Sequence, residues 1–185
     1  MRNFSLIIIA AVGLVVMACT PAAAPVSISE KPISINGIKQ PGVPPKPIPD
    51  MMWTGMDGSR QRIADHRDKV LILDFWATYC GPCRDEIPHL NSLQAKFGDR
   101  LQVVGLNVGG DDDKPKIPAF ASELKVSYPI AFPEEALMSY ISADDTRIPQ
   151  TAVFDKRGNL VVKVIGFDDS VKNQLDRAVE SVIDQ

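Results

Sequence analysis

Residues 70–84 read Val-Leu-Ile-Leu-Asp-Phe-Trp-Ala-Thr-Tyr-Cys-Gly-Pro-Cys-Arg, and this stretch decides the fold. Its first seven residues form a nearly continuous apolar run, which is typical of a central strand covered on both faces. A cysteine pair separated by two residues, Cys80 and Cys83, follows at once. Apolar residues then recur at helical spacing up to Gly98, so the sequence predicts a strand, a cysteine pair and a helix in succession.

The flanking segments predict an α/β fold with a central mixed β-sheet and helices on both faces. Asp-Gly at residues 57–58 separates two short strand-like runs, which is a strong signal for an N-terminal β-hairpin. The other elements follow from apolar runs and helical periodicity. In chain order, we expect strands at 51–54, 59–63 and 101–108, helices at 115–125 and 134–141, hairpin strands at 151–154 and 160–165, and a last helix capped by Asp169 or Ser170.

The amino-terminal segment is predicted to lie outside this fold. Arg2 precedes an apolar run over residues 4–16, which is shorter than the roughly 20 residues of a membrane span and fits a secretory signal. The run ends in Val-Met-Ala-Cys, which resembles a bacterial lipoprotein signal. Residues 1–18 are therefore expected to be the signal peptide and Cys19 the lipidation site. The alternative is an ordinary cleaved signal followed by an incidental cysteine.

Composition divides the rest of the chain into a tether and a domain. Residues 19–49 contain repeated prolines, which fix φ and remove backbone donors, so we expect a semi-rigid tether there. Residues 50–185 have the length of one domain with a sizeable core. The formal net charge of −3 argues against a general nucleic-acid-binding protein. The chain has three cysteines, so if Cys19 is lipidated the other two form a pair.

The position of the cysteine pair between a strand and a helix predicts redox chemistry. Unpaired amides and the dipole at a helix N-terminus stabilise negative charge, so a thiolate is favoured there and its pKa falls. Cys80, nearer the helix start, is expected to be the attacking nucleophile. Cys83, one turn further on, is expected to be the buried thiol that closes the disulfide and releases the partner.

Three other interpretations of the pair are weaker. A structural zinc site needs two further ligands, and the chain offers only His66 and His89. A c-type haem site needs histidine after the second cysteine, where Arg84 stands. An inert structural disulfide is compatible with an exported protein, but such bonds rarely occupy a short turn between a strand and a helix.

The segment from Leu73 to Arg84 resembles the active-site segment of the thioredoxin superfamily. Its continuation Arg-Asp-Glu-Ile-Pro at 84–88, the amino-terminal hairpin and the Tyr-Pro-Ile at 128–130 are similar to the TlpA/ResA-like branch, whose members are often membrane-tethered envelope proteins. The resemblance covers residues 50–185 and implies a thioredoxin fold with a redox-active Cys80–Cys83 disulfide.

The resemblance also implies roles for residues near the cysteines. Asp74 matches a buried acid that moves a proton to or from the resolving thiol, and burial raises the pKa of such a carboxyl toward the range of a general base. The alternative is an Asp that points outward from an edge strand. Glu86 matches a glutamate that relatives keep near the cysteines, although it could equally be a first-turn carboxylate that satisfies the helix dipole.

Further residues are expected to contact the substrate. Trp76 and Tyr79 should pack beside the cysteines, and Gly81 and Pro82 lie between them. The Ile148-Pro149 step resembles the cis-proline loop that faces the pair, and its backbone could add to an extended substrate peptide as a strand. The presence of isoleucine before the proline and of glutamine after it departs from the more usual pattern and could alter partner choice.

Other polar residues are predicted to have no special role. The three aspartates at 111–113 are expected to lie in a solvated loop before a helix, since three adjacent carboxylates cannot all face one ion. His66 and His89 are expected at the surface. The arginines at positions 60, 62 and 67 are expected on a solvated hairpin face. We therefore expect no metal site.

These features predict an envelope thiol–disulfide oxidoreductase, acting as a protein-disulfide reductase in cell redox homeostasis with no cofactor beyond its cysteines. The Gly-Pro between them resembles thioredoxin, a reducing member at about −270 mV. By resemblance, its partners would be disulfide-bearing envelope proteins, including apocytochromes in cytochrome c biogenesis, and an upstream membrane thiol reductant. We expect a lipid anchor and a domain in the periplasm or otherwise outside the cytoplasmic membrane. Alternatives are a thiol peroxidase, although the peroxiredoxin motif is missing, and a copper chaperone, although the cysteine spacing is narrower than in such proteins.

Overall fold

The computed structural model describes residues 47–185. The predictions for the signal peptide, for Cys19 and for the tether up to residue 46 lie outside these residues. Within residues 47–185, no helix is both long enough and apolar enough to cross a membrane.

The described residues form one seven-stranded mixed sheet with helices packed against it. The strands are β1 (Met52–Gly55), β2 (Arg60–Arg62), β3 (Val70–Trp76), β4 (Leu101–Asn107), β5 (Ile130–Pro133), β6 (Gln150–Phe154) and β7 (Leu160–Ile165), in the order β2-β1-β5-β4-β3-β6-β7. The helices are α1 (Gly81–Phe97), α2 (Ile117–Glu123), α3 (Glu135–Ile141) and α4 (Asp169–Val182). The α/β architecture with an N-terminal hairpin is therefore confirmed.

Strand β3 lies in the interior of the sheet, as its apolar run predicts. It pairs parallel with β4 and antiparallel with β6, and all seven of its residues are buried. Because side chains alternate along a strand, Ile72 packs into the core beneath α1 and α4, and Leu73 packs into the core on the other face with α3. The buried strand, paired on both sides, therefore fixes the position of its carboxyl end and of the cysteines that follow it.

Strand β5 was not predicted. It has only four residues, too few to show a period, and it follows a proline. It pairs parallel with β4, where Ile130 lies opposite Gly105, and antiparallel with β1, where Pro133 lies opposite Trp53. This short strand is what joins the N-terminal hairpin to the central sheet.

The predicted cap of the last helix is wrong by one residue. Asp168, in an extended conformation, accepts a hydrogen bond from the Val171 N–H at 2.8 Å, and Asp169 is already helical. A carboxylate satisfies an otherwise unpaired amide of the first turn from this position. The apolar stripe of α4 packs into the core with Leu175 and Val179 fully buried.

Candidate redox-active site

The cysteine pair lies where β3 gives way to α1. Cys80 is the residue that caps α1, and its Sγ accepts a hydrogen bond from the Cys83 N–H at 3.2 Å. The two sulfurs form a disulfide. Cys80 is 7% exposed and Cys83 is 1% exposed, so a partner can approach Cys80 more readily. The amides of the first helical turn stabilise negative charge at this position.

An apolar cluster supports the pair from below. Trp76, at the end of β3, is buried and stacks on Phe120 of α2 with 4.9 Å between ring centroids. Both rings belong to one buried cluster with Cys80 and Cys83. Trp76 therefore packs beside the cysteines as expected.

Tyr79 does not pack there. Its side chain is 70% exposed, because it occupies the turn before α1 and points away from the cluster. The expectation of packing is thus wrong for this residue. An exposed aromatic ring adjacent to Cys80 remains available to a partner protein. Gly81 and Pro82 are exposed as well.

Two buried carboxyl groups lie beneath the helix. Asp74 is 1% exposed and Glu86 is fully buried. Burial raises the pKa of Asp74 well above its usual value, the charge of Glu86 raises it further, and the Tyr128 hydroxyl opposes the rise. Burial raises the pKa of Glu86 to about 7, opposed by a 2.5 Å hydrogen bond from the Thr151 hydroxyl. Asp74 does not face solvent, so the outward-pointing alternative is excluded. Glu86 lies beyond the first turn of α1 and accepts from Thr151, so its alternative role as a first-turn carboxylate is excluded as well.

Sequence reasoning missed two members of this cluster. Thr151 lies opposite Asp74 in the register of β3 and β6, and this register places its hydroxyl against Glu86. Tyr128 is 6% exposed, and its pKa is raised well above the usual value by burial and by the two nearby carboxyl groups. A lone threonine or tyrosine carries no sequence signal for such a contact, since both come from distant segments.

The cluster is only partly satisfied by hydrogen bonds. Among the described residues, no hydrogen bond of normal distance and angle reaches either oxygen of Asp74, Glu86 Oε2 or the Tyr128 hydroxyl. The Tyr128 hydroxyl nonetheless lies close enough to Asp74 to oppose the rise of its pKa. Two adjacent buried carboxyl groups titrate as a coupled pair and hold protons at a higher pH than isolated carboxyls do. Glu86 lies three residues after Cys83, on the same side of α1. Glu86, with its pKa raised to about 7, can therefore gain or lose a proton near neutral pH within one helical turn of Cys83.

The loop before β6 lies against the cysteine cluster. The Ile148-Pro149 peptide bond is cis, and the Ile148 side chain packs against the cluster that contains the cysteines. The Pro149 carbonyl accepts a hydrogen bond from the Gly166 N–H at 2.8 Å, which ties the loop to the end of β7. Within residues 47–185 no hydrogen bond involves the Ile148 N–H or carbonyl. These groups can bond to an added peptide.

The prediction for the aspartates at 111–113 is right for the first two and wrong for Asp113. Asp111 and Asp112 are exposed, whereas Asp113 is 1% exposed and accepts hydrogen bonds from Thr78, two residues before Cys80. The burial follows from its contact with a loop 35 residues away, which sequence spacing does not show.

The histidines are also placed differently from the prediction. Both are partly buried: His66 stacks on Trp53 with ring centroids 5.3 Å apart, and His89 Nε2 lies 3.0 Å from an oxygen of Asp176. The arginines at 60, 62 and 67 are exposed as expected. In the described part of the chain, no group of three or more His, Cys, Asp or Glu side chains is placed to hold a metal ion.

Comparisons with known proteins agree with this geometry. The model of the AhpC/TSA family matches residues 44–163. The chain is similar to thiol-disulfide oxidoreductase ResA of Geobacillus kaustophilus, at 30% identity over 72% of this chain and 75% of that protein. It is also similar to thioredoxin-like protein YneN of Bacillus subtilis, at 27% identity over 71% of this chain and 76% of that protein.

A solved structure shows the same architecture. A thiol:disulfide interchange protein of the thioredoxin family from Chlorobium tepidum superposes with a TM-score of 0.61 at 27% identity, over 75% of this chain and 97% of that one. The predicted thioredoxin fold is thereby confirmed.

Proposed function

This chain belongs to the AhpC/TSA family, and from that premise we propose that it is a thiol–disulfide oxidoreductase that reduces disulfides of exported proteins. The observation that carries the proposal is the disulfide between Cys80 and Cys83 at the start of α1, above the buried carboxyl of Glu86. Relatives named thiol-disulfide oxidoreductases support the same chemistry.

The reaction begins from the dithiol form. The Cys80 thiolate attacks one sulfur of a substrate disulfide, a mixed disulfide forms, and the other substrate sulfur leaves as a thiolate that takes up a proton. The Cys83 thiolate then attacks Cys80 Sγ, which releases the second substrate thiolate. Two electrons pass from the cysteine pair to the substrate, and the protein is left with the Cys80–Cys83 disulfide.

The resolving step requires Cys83 to lose a proton inside the protein. Glu86 is one helical turn away, and its pKa of about 7 suits a group that accepts a proton near neutral pH. The pKa of Asp74 is raised in part by the charge of Glu86, so the two groups titrate together and Asp74 can also hold that proton. In this proposal the two carboxyls act as the general base of the resolving step.

The surface around Cys80 is proposed to bind an extended segment of the substrate protein. The Ile148 N–H and carbonyl are open to pairing with a peptide backbone, as in strand addition. The exposed ring of Tyr79 and the exposed Gly81 and Pro82 flank the other side of the cysteines. No cofactor is required, because the cysteine pair itself carries both electrons.

The cellular setting is a further part of the proposal. The pattern before Cys19 supports a lipid anchor on an envelope membrane, with the domain in the periplasm or otherwise outside the cytoplasmic membrane. There, an upstream membrane thiol reductant would restore the dithiol, and apocytochrome c is a proposed substrate by resemblance alone. Replacement of Cys19 by serine should move the protein from the membrane to the soluble fraction.

Trapping of mixed disulfides tests the central proposal. The variant Cys83→Ser should accumulate protein partners bound through Cys80, because the resolving thiol is missing. Cys80→Ser is the matched control and should trap none. Equal trapping by both variants, or none by Cys83→Ser after lysis that preserves disulfides, would refute protein disulfides as substrates.

Two further measurements define the direction of the reaction. A reduction potential above about −150 mV would overturn the reductase assignment and favour an oxidising role. Rapid peroxide consumption that depends on Cys80 would instead favour a thiol peroxidase.

A further inference from the structure

A buried carboxylate fixes the turn that carries Cys80. Asp113 Oδ2 accepts a hydrogen bond from the Thr78 N–H at 2.9 Å, and Oδ1 accepts one from the Thr78 hydroxyl. Asp113 Oδ2 also accepts from Asn107 Nδ2 at 2.8 Å. The side chain is 1% exposed, and its donors come from the turn before α1 and from the last residue of β4.

The charge of this group is maintained by its donors. Burial acts to raise the pKa of Asp113, but the hydrogen bonds from Asn107 and Thr78 outweigh burial and hold the pKa below its usual value. The carboxylate is therefore ionised at neutral pH, and hydrogen bonds to an ionised acceptor are stronger than those to a neutral one.

The turn between β3 and α1 is held at several points. The Trp76 carbonyl accepts from the Val108 N–H at 2.9 Å, and the Cys80 N–H donates to the Ala77 carbonyl at 3.1 Å. Thr78 lies between these two contacts, and Asp113 is the group that holds it. Without Asp113, Thr78 in the middle of the turn would lose both of its hydrogen bonds to the loop after β4, one from its N–H and one from its hydroxyl.

The approach of Asp113 depends on a glycine. A Cβ atom built at Gly109 would lie 2.3 Å from Asp113 Oδ2 and 2.5 Å from its Cβ and Cγ. These distances are far below van der Waals contact, so any larger residue would displace the carboxylate. Gly109 thus provides a way to move Asp113 without changing its charge.

We infer that Asp113 is a positioning residue, which sets the reactivity of Cys80 by holding Thr78 and with it the turn at the start of α1. The inference rests on the proposed function, in which Cys80 is the nucleophile. The field of the helix terminus falls off within about one turn, so a small displacement of the sulfur lowers its thiolate fraction. Asp113 acts through Thr78 and does not touch the reacting sulfur.

Alkylation of the reduced protein by iodoacetamide tests this inference. Mass spectrometry assigns the modification to Cys80, and the rate is followed from pH 5.5 to 9. Thr78→Val removes one hydrogen bond, and Gly109→Ala displaces the carboxylate. Each variant is expected to react about three- to tenfold more slowly below pH 7, because the rate there follows the thiolate fraction that the helix terminus raises. Thr78→Ser retains a hydroxyl and should react within about twofold of wild type.

The matched control is a carboxylate that organises a turn far from the cysteines. Asp155 accepts hydrogen bonds at 2.9 Å from the N–H groups of Arg157 and Asn159, in the turn between β6 and β7 at the opposite end of the sheet. Asp155→Asn should lower the urea midpoint without changing the rate at Cys80. The inference is overturned if Thr78→Val and Gly109→Ala lose as much stability as Asp155→Asn but alkylate Cys80 at the wild-type rate. It is also overturned if Thr78→Ser alkylates as slowly as Thr78→Val.

This assay also separates the inference from the proposed function. Alkylation requires no protein substrate. If the variants alkylate more slowly as expected but the wild-type protein reduces no protein disulfide, only the proposed function is refuted. An unchanged rate in a protein that does trap substrates would refute only the role of Asp113.

Discussion

Replacement of the buried Glu86 by glutamine should make the folded protein more stable above neutral pH. The carboxyl is fully buried, and burial raises its pKa from 4.5 to about 7. The ionised form of Glu86 is therefore destabilised in the folded state, where it is desolvated, and is hydrated without this cost in the unfolded chain. Glutamine cannot ionise, yet it keeps an oxygen that can accept the hydrogen bond from the Thr151 hydroxyl.

The magnitude follows from proton linkage. Between pH 4.5 and about 7 the folded state binds a proton that the unfolded state has lost, so the stability present below pH 4.5 is lost as pH rises through this range. The shift from 4.5 to about 7 at 1.36 kcal/mol per pKa unit corresponds to about 3 kcal/mol. Glu86→Gln should remove this loss of stability. It should also reduce the loss that the raised pKa of Asp74 causes, because the charge of Glu86 contributes to that rise.

Urea unfolding of the oxidised protein at pH 4 to 8 measures this effect while the intact disulfide keeps the cysteines from titrating. The stability difference between Glu86→Gln and wild type should grow by up to about 3 kcal/mol in favour of the variant between pH 4.5 and 7.5. Glu135→Gln, at an exposed position of α3, is the control and should follow the wild-type curve. A variant whose stability falls with pH as steeply as wild type would show that Glu86 does not titrate in the folded state as argued.

Two other substitutions test the packing and the capping. Gly105→Ala would place a Cβ 2.8 Å from Trp76 Nε1 and 3.1 Å from Tyr128, so it should lower the free energy of unfolding by about 1–3 kcal/mol in urea titrations; an unchanged midpoint would contradict this packing. Asp168→Ala removes the cap of α4 and should cost about 1 kcal/mol, whereas Asp169→Ala should cost less; equal losses would place the cap elsewhere.

Local patterns were sufficient to predict most of the fold. The apolar run at 70–76 forms β3, and the helix that follows ends at Phe97 and is capped by Gly98, whose φ of 55° suits a residue without a Cβ. These features depend on side-chain period and on the special backbone freedom of glycine, and both are encoded within a few residues. The short strand at 130–133 was missed because its pairing with β1 and β4 defines it, and its own composition does not.

The cysteine pair could be placed from the sequence for the same reason. Its position between a strand and a helix follows from local periodicity, and so does the contact of Cys80 with the start of α1. The resemblance also implied a buried Asp74, and its burial within β3 excludes the outward-pointing alternative. For Glu86 the sequence left two environments open, and the packing of α1 over β6 decided between them.

The sequence alone determined that the two cysteines lie at the start of a helix that follows a buried strand, because the strand, the turn and the helix are consecutive in the chain. Tertiary structure decided what surrounds them. The contact of Thr151 with Glu86 spans 65 residues, and that of Asp113 with Thr78 spans 35. Such contacts depend on which strands become neighbours in the sheet, and strand pairing is a property of the whole folded chain.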